Sequence, residues 1–369
     1  MKKSFLVLLA LLMSACGTEA IHIEIHNPSA AARSHETVEI DWSKISPRLT
    51  GVTPENVIVT TSDQRQIPSQ VIYTGQSEPQ SLIFQVSLPG AESAIYTIST
   101  GQREDYPVQT YGRFVPERLD DYAWENNRIA YRAYGPALKD PQTPGVDVWV
   151  KSTQRMIIDD WYAGADYHTN KGEGMDAYKV GQTLGGGATA PYAGQKLWLP
   201  GNYITQQRLD NGPIRTSVKL TYGSFDADGQ EVSLEKTISL DANSHFNRIT
   251  ETYTGNWENL TIAAGFVLHD IKDITTGADY IAITEAVSDS KQPETDGDIS
   301  LGIILTRNEG SAEIDGHLTL LYTAVNGEPF EYWSGSGWSQ AGVTDSGEWL
   351  SRLLQKREQI LEPLLITVQ

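Results

Sequence analysis

The chain has 369 residues, of which 28 are Lys or Arg and 47 are Asp or Glu, so its formal net charge is −19. A surface this acidic repels nucleic acid and offers no polybasic face to anionic lipid, so we expect neither as a partner. The single cysteine, Cys16, lies close to the N-terminus, so we expect a mature chain without disulfide or thiolate–metal chemistry.

The first sixteen residues are typical of a bacterial lipoprotein signal. Lys2 and Lys3 form a charged start, and residues 5–13 form an apolar run too short to span a bilayer. Small residues precede Cys16, as in a lipobox, where cleavage leaves a lipidated cysteine. Without the two lysines, 26 basic residues face 47 acidic ones, a charge of −21. We expect a protein anchored by lipid in the bacterial cell envelope, in the periplasm or at the cell surface; the alternative is an ordinary secretory signal.

Residues 21–105 are predicted to form a small β-sandwich domain. Apolar and polar residues alternate there in short runs, and Pro and Gly clusters separate the runs. This pattern is typical of half-buried strands in a sandwich. The predicted strands cover residues 21–25, 37–42, 57–61, 81–88 and 94–98.

Residues 161–187 show neither a helical nor a strand period, although they are rich in Tyr, Asp, Lys and Gly. An irregular segment of this length inside a domain is usually disordered or functional. The aromatic residues and glycines favour a functional loop. We therefore expect the chemistry of the protein to lie in this segment.

A second β series follows and ends in one helix. Residues 346–361 place Trp349 and several leucines at helical spacing, and Pro363 ends the helix. Together with the first series, this pattern predicts an all-β protein with a large antiparallel β-sandwich over residues 106–369. The predicted strands of the second series cover residues 216–222, 232–240, 247–253, 260–268, 280–286, 299–306 and 318–324.

Five segments carry a family resemblance: residues 111–118, 121–126, 161–187, 211–215 and 332–339. Together they resemble a bacterial family, domain of unknown function four-eight-six-one, which is found among polysaccharide-utilisation genes. The resemblance covers nearly the whole mature chain. It implies a supersandwich similar to galactose mutarotase for residues 106–369, and a sugar substrate, because some relatives act as oligosaccharide dehydratases on terminal uronic acids. The resemblance does not assign a catalytic motif to particular positions of this chain.

The residue types in the irregular segment suit an elimination reaction. Removing water or an alcohol beside a carboxylate needs a base for the α-proton, donors for the enolate-like charge and an acid for the departing oxygen. His168, between Tyr167 and Lys171, supplies base and acid types within five residues. Tyr178 is a further candidate acid, although packing is the ordinary role of any tyrosine.

His269 is a second candidate. It follows the apolar run 262–268, so we expect it at a strand end, beside a cleft and next to Asp270. It could be a second base, a metal ligand with His168, or a histidine hydrogen-bonded to nearby backbone. No metal-binding spacing is present, so we expect no cofactor, although a divalent metal stays open. The remaining histidines are expected at surface or turn positions: His22, His26, His35, His245 and His317.

Cationic and aromatic residues are the candidates for binding an acidic sugar. Arginine matches a carboxylate with two parallel hydrogen bonds, and tryptophan stacks on sugar rings, although packing is the usual role of any one tryptophan. The candidates for the carboxylate are Arg128, Arg132, Lys179 and Arg215, those for stacking are Trp161, Trp198, Trp333 and Trp338, and Asp270 is a further binding residue.

We therefore predict a lipid-anchored carbon–oxygen lyase that acts by β-elimination on oligosaccharides with a terminal uronic acid, as dehydratase or exo-lyase. No protein partner is predicted. One alternative is a glycan-binding lipoprotein without activity, which would need aromatic residues but no base. The other is a mutarotase or glycoside hydrolase on the same scaffold, of which the hydrolase would need two facing carboxylates.

The lipid anchor gives the first testable prediction. The Cys16→Ala variant lacks the acceptor for the lipid, so it should move from the membrane fraction to the soluble fraction. Fractionation and immunoblotting measure this shift, with Ser14→Ala as a control that keeps the cysteine. A variant that stays as firmly bound as the wild type would rule out the lipoprotein interpretation.

Overall fold

A computed structural model describes residues 19–164 and 166–369. The predicted signal segment and Cys16 lie outside the described residues. The described chain consists mostly of antiparallel strands, as predicted, with three α-helices, of which only the last is long. None of these helices is both long and apolar enough to cross a membrane.

Residues 20–100 form seven strands. In the first of them, Ile21, Ile23 and Ile25 are buried, because alternate side chains of a strand point to the same face. The strands are β1 (Ala20–His26), β2 (Arg33–Asp41), β3 (Val57–Thr61), β4 (Gln66–Ile67), β5 (Ser69–Ile72), β6 (Ser81–Leu88) and β7 (Ser93–Thr100).

The next part of the chain forms a five-stranded sheet and a short helix that packs on it. Its three central strands are buried along their whole length, so both faces of this sheet are covered. The elements are β8 (Thr110–Val115), β9 (Asp121–Asn126), β10 (Ile129–Ala133), β11 (Val146–Lys151), α1 (Ile158–Ala163) and β12 (Gly174–Asp176), with the sheet order β12-β11-β10-β9-β8.

The rest of the chain forms fifteen strands and two helices. They are β13 (Gly186–Ala193), β14 (Lys196–Leu197), β15 (Tyr203–Asn211), β16 (Arg215–Tyr222), β17 (Phe225–Ala227), β18 (Gln230–Asp241), β19 (Phe246–Gly255), β20 (Asn259–Val267), β21 (Ile271–Thr276), β22 (Tyr280–Ala286), α2 (Pro293–Asp296), β23 (Asp298–Ile304), β24 (Ser311–Ile314), β25 (His317–Val325), β26 (Pro329–Trp338), α3 (Ser346–Leu361) and β27 (Leu365–Val368).

Three sheets enclose one large core. A nine-stranded sheet runs β15-β16-β18-β19-β26-β23-β22-β21, with β17 paired to β18, and a five-stranded sheet runs β14-β13-β20-β25-β24. Buried side chains of these two sheets and of the β8–β12 sheet form a single apolar cluster, to which Trp124, Phe266 and Tyr332 each bring an aromatic ring. This arrangement is the large antiparallel sandwich that the sequence predicts.

The small sandwich contains one strand that lies far from it in sequence. Its sheets run β27-β1-β7-β3-β4 and β2-β6-β5, and β27 pairs antiparallel with β1. Leu364, just before β27, lies in the same apolar core. The division predicted from the sequence placed residues 364–368 in the large unit, because β27 is too short for its pairing partner to be recognised from its pattern.

Helix α3 covers part of the outer face of the nine-stranded sheet. Asp345 caps its N-terminus by accepting a hydrogen bond from the Glu348 amide at 2.9 Å. Trp349 and Leu353 are buried, and the Trp349 indole stacks on Phe246 with ring centroids 5.2 Å apart. Burial of these two side chains holds the helix on the sheet.

This packing predicts that alanine substitutions of the neighbouring Leu353 and Leu354 differ in their effect on stability. Leu353→Ala should lower the free energy of unfolding by about 2–4 kcal/mol, because it leaves a cavity beneath α3. The matched control Leu354→Ala should change it by less than about 0.5 kcal/mol, since Leu354 is 38% exposed. Urea unfolding of both variants tests the assignment, and equal losses would mean that the helix is oriented differently.

Candidate active site

The irregular segment of residues 161–187 is anchored on the outer face of the β8–β12 sheet by aromatic stacking. Tyr167 and Trp161 both stack on Trp149 of β11, with ring centroids 5.2 and 5.7 Å away. The Asp176 amide donates a hydrogen bond to the Tyr167 carbonyl at 2.7 Å, so the segment returns to the sheet edge as β12. These contacts hold the loop that carries His168.

His168 lies beside two carboxylates. Its Nδ1 is 3.3 Å from Asp289 Oδ2 and 3.6 Å from Asp176 Oδ2, and this buried nitrogen makes no hydrogen bond within the described chain. The side chain is 34% exposed, and its Nε2 also makes no hydrogen bond among the described residues. Because Nδ1 faces the carboxylates, Nε2 is the nitrogen available to a substrate.

A buried ionic cluster lies directly behind His168. Arg132 Nη2 is 2.5 Å from Asp147 and 2.8 Å from Asp176, and all three side chains are buried. Burial and the neighbouring Asp147 raise the pKa of Asp176 well above its usual value. Burial alone would lower the pKa of Arg132, but the two carboxylates raise it. The prediction that Arg132 binds substrate is wrong, since its guanidinium is already held by protein carboxylates.

Tyr167 is held by two guanidinium groups. Its hydroxyl oxygen accepts a hydrogen bond from Arg118 Nε at 3.1 Å and from Arg132 Nη1 at 3.3 Å. Arg118 is half-buried, and within the described chain it makes no ion pair, so its terminal nitrogens can bind an anion. The Tyr167 and His168 rings are 4.7 Å apart. A phenol, an imidazole and a guanidinium therefore meet at one place.

His269 repeats the histidine–carboxylate arrangement. Its Nδ1 is 2.8 Å from Oε1 of the buried Glu285, and its amide lies 3.4 Å from Oε2 of the same side chain. Tyr178 packs edge-on against the imidazole at 5.0 Å and donates its hydroxyl to the Val267 carbonyl at 2.9 Å. Tyr178 is fully buried, so the prediction that it acts as an acid on substrate is wrong. It positions His269 instead.

The same two segments hold both histidines. Glu285 and Asp289 lie four residues apart, and the amides of Ser288 and Asp289 donate to the Ala177 carbonyl at 3.0 and 3.2 Å. Asp176 and Tyr178 flank Ala177 and contact His168 and His269 respectively. Lys179 follows; its side chain is exposed and, in the part of the chain that the structure describes, it forms no ion pair.

Among the described residues, one cluster could hold a metal ion. The ligand atoms of His168, Asp176 and Asp289 lie within 4.8 Å of one another. However, Asp176 Oδ2 already accepts a hydrogen bond from Arg132, and a buried guanidinium at that distance repels a divalent cation. The arrangement fits an imidazole oriented by carboxylates better than it fits a metal centre.

Several predicted binding residues are engaged elsewhere. Trp338 is buried and donates its Nε1–H to the Asp296 carbonyl at 2.7 Å, so the prediction that it stacks on a sugar is wrong. The Lys196 ammonium lies 3.6 Å from the ring centroid of Trp198 and covers that face. Trp161, described above, offers only one face, because the other stacks on Trp149.

The remaining predicted residues lie at the rim of the site or outside it. Lys171 is exposed and donates to the Asp166 carbonyl at 2.8 Å, and Asp270 is an exposed neighbour of His269. Arg128 and Arg215 line a different cleft, described below. Arg215 is held there by Asp241, at 2.6 and 3.0 Å.

Two of the five other histidines are not surface residues. His317 is buried, and its Nε2 accepts a hydrogen bond from the Leu184 amide at 3.1 Å. His245 is half-buried, and burial together with Arg352 lowers its pKa to about 4. Both follow tight turns, which is why their positions suggested exposure. His22, His26 and His35 lie at partly or fully exposed positions on the small sandwich, as predicted.

Sequence reasoning missed four residues of this site. Arg118 lies in a short 3-10 helix, and Asp176, Glu285 and Asp289 are acids in a chain that has 47 of them. No local pattern distinguishes such acids from surface residues. Arg118 could have been found, because it ends the segment 111–118 that carries part of the family resemblance.

The fold is shared with carbohydrate-active enzymes. An α-mannosidase from Enterococcus faecalis matches with a TM-score of 0.52 and 8% identity over 95% of this chain and 46% of that one. A protein of glycosyl hydrolase family 38 from Enterococcus faecalis matches with a TM-score of 0.50 and 9% identity, over 95% and 47%. The chain therefore spans about half the length of these proteins, and at this identity the likeness concerns the fold alone.

The chain belongs to the family described as "Domain of unknown function (DUF4861)", which matches residues 25–366. It is also 30% identical, over 398 aligned positions, to "Uncharacterized protein P7" of Formosa agariphila, with 99% of this chain and 98% of the relative covered. The family predicted from the sequence is thereby confirmed.

The ionic cluster gives a stability prediction. Arg132→Met should lower the free energy of unfolding by about 3–5 kcal/mol, because Asp147 and Asp176 would lose the cation that offsets their burial. The control Arg113→Met should cost less than about 1 kcal/mol, since the partners of Arg113, Glu117 and Asp159, are more than half exposed. Denaturant titration measures both, and a neutral Arg132→Met would show that the cluster does not stabilise the fold.

Proposed function

We propose that this protein is a carbohydrate-active enzyme that acts by β-elimination on oligosaccharides with a terminal uronic acid, as a dehydratase or an exo-lyase. One observation carries the proposal. His168, with Nδ1 facing two carboxylates, lies beside Tyr167, whose oxygen is held by two guanidinium groups. A base and an acid of the types that elimination requires are therefore held side by side.

His168 is assigned the role of base. Asp289 and Asp176 favour the tautomer with hydrogen on Nδ1 and stabilise the imidazolium that forms when Nε2 accepts the α-proton of the uronate. The electron pair of the broken C–H bond then forms the carbon–carbon double bond, and the bond from the β-carbon to oxygen breaks. In the dehydratase reaction this oxygen leaves as water, and in the lyase reaction as a sugar hydroxyl.

Tyr167 is assigned the role of acid. When its hydroxyl gives a proton to the departing oxygen, Arg118 and Arg132 already donate to the phenol oxygen and stabilise its developing negative charge. The rings of Tyr167 and His168, 4.7 Å apart, are close enough to act on neighbouring atoms of one sugar. His269, oriented by Glu285, is assigned to a hydrogen bond with a substrate hydroxyl.

The carboxylate of the substrate needs a cation. Arg118 and Lys179 are the candidates, because neither forms an ion pair within the described chain. In a protein with a net charge of −19, an acidic sugar binds only where cations are concentrated locally. The enolate-like charge that forms on this carboxylate during proton removal is stabilised by the same cations.

The burial and pairing of the carboxylates in the candidate site favour elimination over hydrolysis. A glycosidase needs two carboxyl groups that face the scissile bond. In the candidate site, Asp176 and Glu285 are buried and held by Arg132 and His269. Among the described residues, this leaves Asp289 as the one carboxylate that contacts a histidine and is also partly exposed. The fold likeness to glycoside hydrolases supports a sugar substrate without deciding the reaction.

The lipid anchor is part of the proposal. A lipid on Cys16 would hold the enzyme in the cell envelope, where oligosaccharides from polysaccharide breakdown arrive. The small sandwich begins with β1 at Ala20 and would lie next to the membrane.

The reaction is tested with a panel of oligouronides, including ones with saturated non-reducing ends. Elimination should raise ultraviolet absorbance, because the new double bond is conjugated with the carboxylate. Mass spectrometry then distinguishes loss of one water from shortening of the chain. Hydrolysis, or retention on immobilised glycan without any unsaturated product, would contradict the proposal.

The assigned roles predict distinct variants. His168→Gln keeps the size of the side chain but not the base, so kcat should fall about a hundredfold or more. Tyr167→Phe should lower kcat, whereas His269→Ala should mainly raise KM. The control His22→Gln, at an exposed position of β1, should match the wild type. Full activity of His168→Gln would exclude this histidine as the base.

A further inference from the structure

A second cleft lies between the small sandwich, the turn that joins β18 to β19, and helix α3. It encloses about 520 Å³, which falls in the usual range of about 300–1,000 Å³ for ligand sites. None of its lining residues belongs to the candidate active site. We call it the interdomain cleft; its cationic lining residues are Arg128, Arg215, Arg248, Arg352 and Lys356.

The interdomain cleft is cationic on a strongly acidic protein. Five cationic side chains line it, against the three carboxylates of Glu36, Asp241 and Glu331. Two of these carboxylates are already neutralised, Asp241 by Arg215 at 2.6 Å and Glu331 by Arg248 at 2.5 Å. Arg215 also contacts Glu39 and Arg352 contacts Glu348, each at 2.8 Å, so Arg128 and Lys356 are the lining cations without a carboxylate partner within the described chain.

Arg128 is the cationic residue of the cleft whose charge is least offset by neighbouring groups of the protein. It is half-buried, and within the described chain its guanidinium makes neither a hydrogen bond nor an ion pair. Burial and the neighbouring Arg352 lower its pKa. The Nε of Arg352 is itself buried without a hydrogen-bond partner. Glu348 already pairs with Arg352 at 2.8 Å, so the charge of Arg128 is the one that an anion bound between the two guanidinium groups would offset.

The other residues that line the cleft indicate which kind of molecule bears the bound anionic group. Trp333 is half-buried and offers an aromatic face, and Gln355 and Gln359 of α3 supply amides. Trp333 also lines an adjoining cavity of about 310 Å³, to which Tyr322 and Arg307 contribute. Aromatic faces, amides and cations along two adjoining cavities suit an extended, anionic sugar chain.

We infer that the interdomain cleft is a second oligosaccharide site, which binds a carboxylate or sulfate group on a sugar through Arg128 and Arg352 and stacks a sugar ring on Trp333. The choice of a sugar as the carrier of the anion rests on the proposed function. The anion site itself does not, because it follows from the unpaired guanidinium of Arg128 and from the neighbouring Arg352, whose Nε lacks a hydrogen-bond partner. A glycan held here would keep the enzyme on a polymer while the His168 site acts on chain ends.

The test measures binding to the full chain carrying His168→Gln, so that substrate is not consumed. Calorimetric titrations would use an oligouronide, a sulfated oligosaccharide, a neutral oligosaccharide of the same length, and inorganic sulfate. At least one anionic oligosaccharide should bind, and Arg128→Gln should weaken it by about tenfold. Trp333→Leu should weaken it too. The matched control Arg65→Gln, an exposed arginine of the small sandwich, should leave the affinity unchanged.

A second measurement separates this site from the active site. Turnover of a disaccharide at the His168 site should be unchanged by Arg128→Gln, because Arg128 is not a residue of that site. Equal binding of neutral and anionic sugars, unchanged affinity in Arg128→Gln, tighter binding of inorganic sulfate than of either anionic sugar, or loss of disaccharide turnover in this variant would each overturn the inference. If no elimination is found while anionic sugars still bind through Arg128, the proposed function fails and the second site stands.

Discussion

One buried guanidinium between two carboxylates determines the candidate active site. Arg132 of β10, Asp147 of β11 and Asp176 of β12 come from three neighbouring strands, so their contacts fix the alignment of the sheet edge. Burying such a group is costly unless every member is paired. Because Arg132 also donates to Tyr167 and Asp176 faces His168, the phenol and the imidazole take their positions from this cluster.

Charge placement explains how an acidic protein could bind acidic sugars. With a net charge of −19, the average surface repels them, so affinity depends on cations that the protein leaves without carboxylate partners. Among the cations without such partners are Arg118 and Lys179 beside His168 and Arg128 in the interdomain cleft. By contrast, the exposed Arg155 is paired with Asp160 and Glu173.

The periodic part of the structure could be predicted from sequence, and the pairing of charges could not. Alternation identifies the strands, and helical spacing identifies α3, because both patterns are local. His168 could be selected because it lies in a polar, irregular segment. The burial of Arg132 could not be foreseen, since its partners lie on other strands and an arginine in a strand usually faces solvent. The roles predicted for Trp338 and Tyr178 are wrong for the same reason. The residues that bury these two side chains lie far from them in sequence.

The pairing of β27 with β1 has a consequence for biogenesis. Of the described strands, β1 is the first to be synthesised and β27 the last, so the sheet of the small sandwich cannot be completed until residues 365–368 have left the ribosome. Until then one edge of β1 exposes unpaired backbone groups, which is a hazard for association with other strands. Contacts this distant in sequence also form slowly. Truncated translation products that lack β27 should therefore be prone to aggregation, even when the large sandwich is intact.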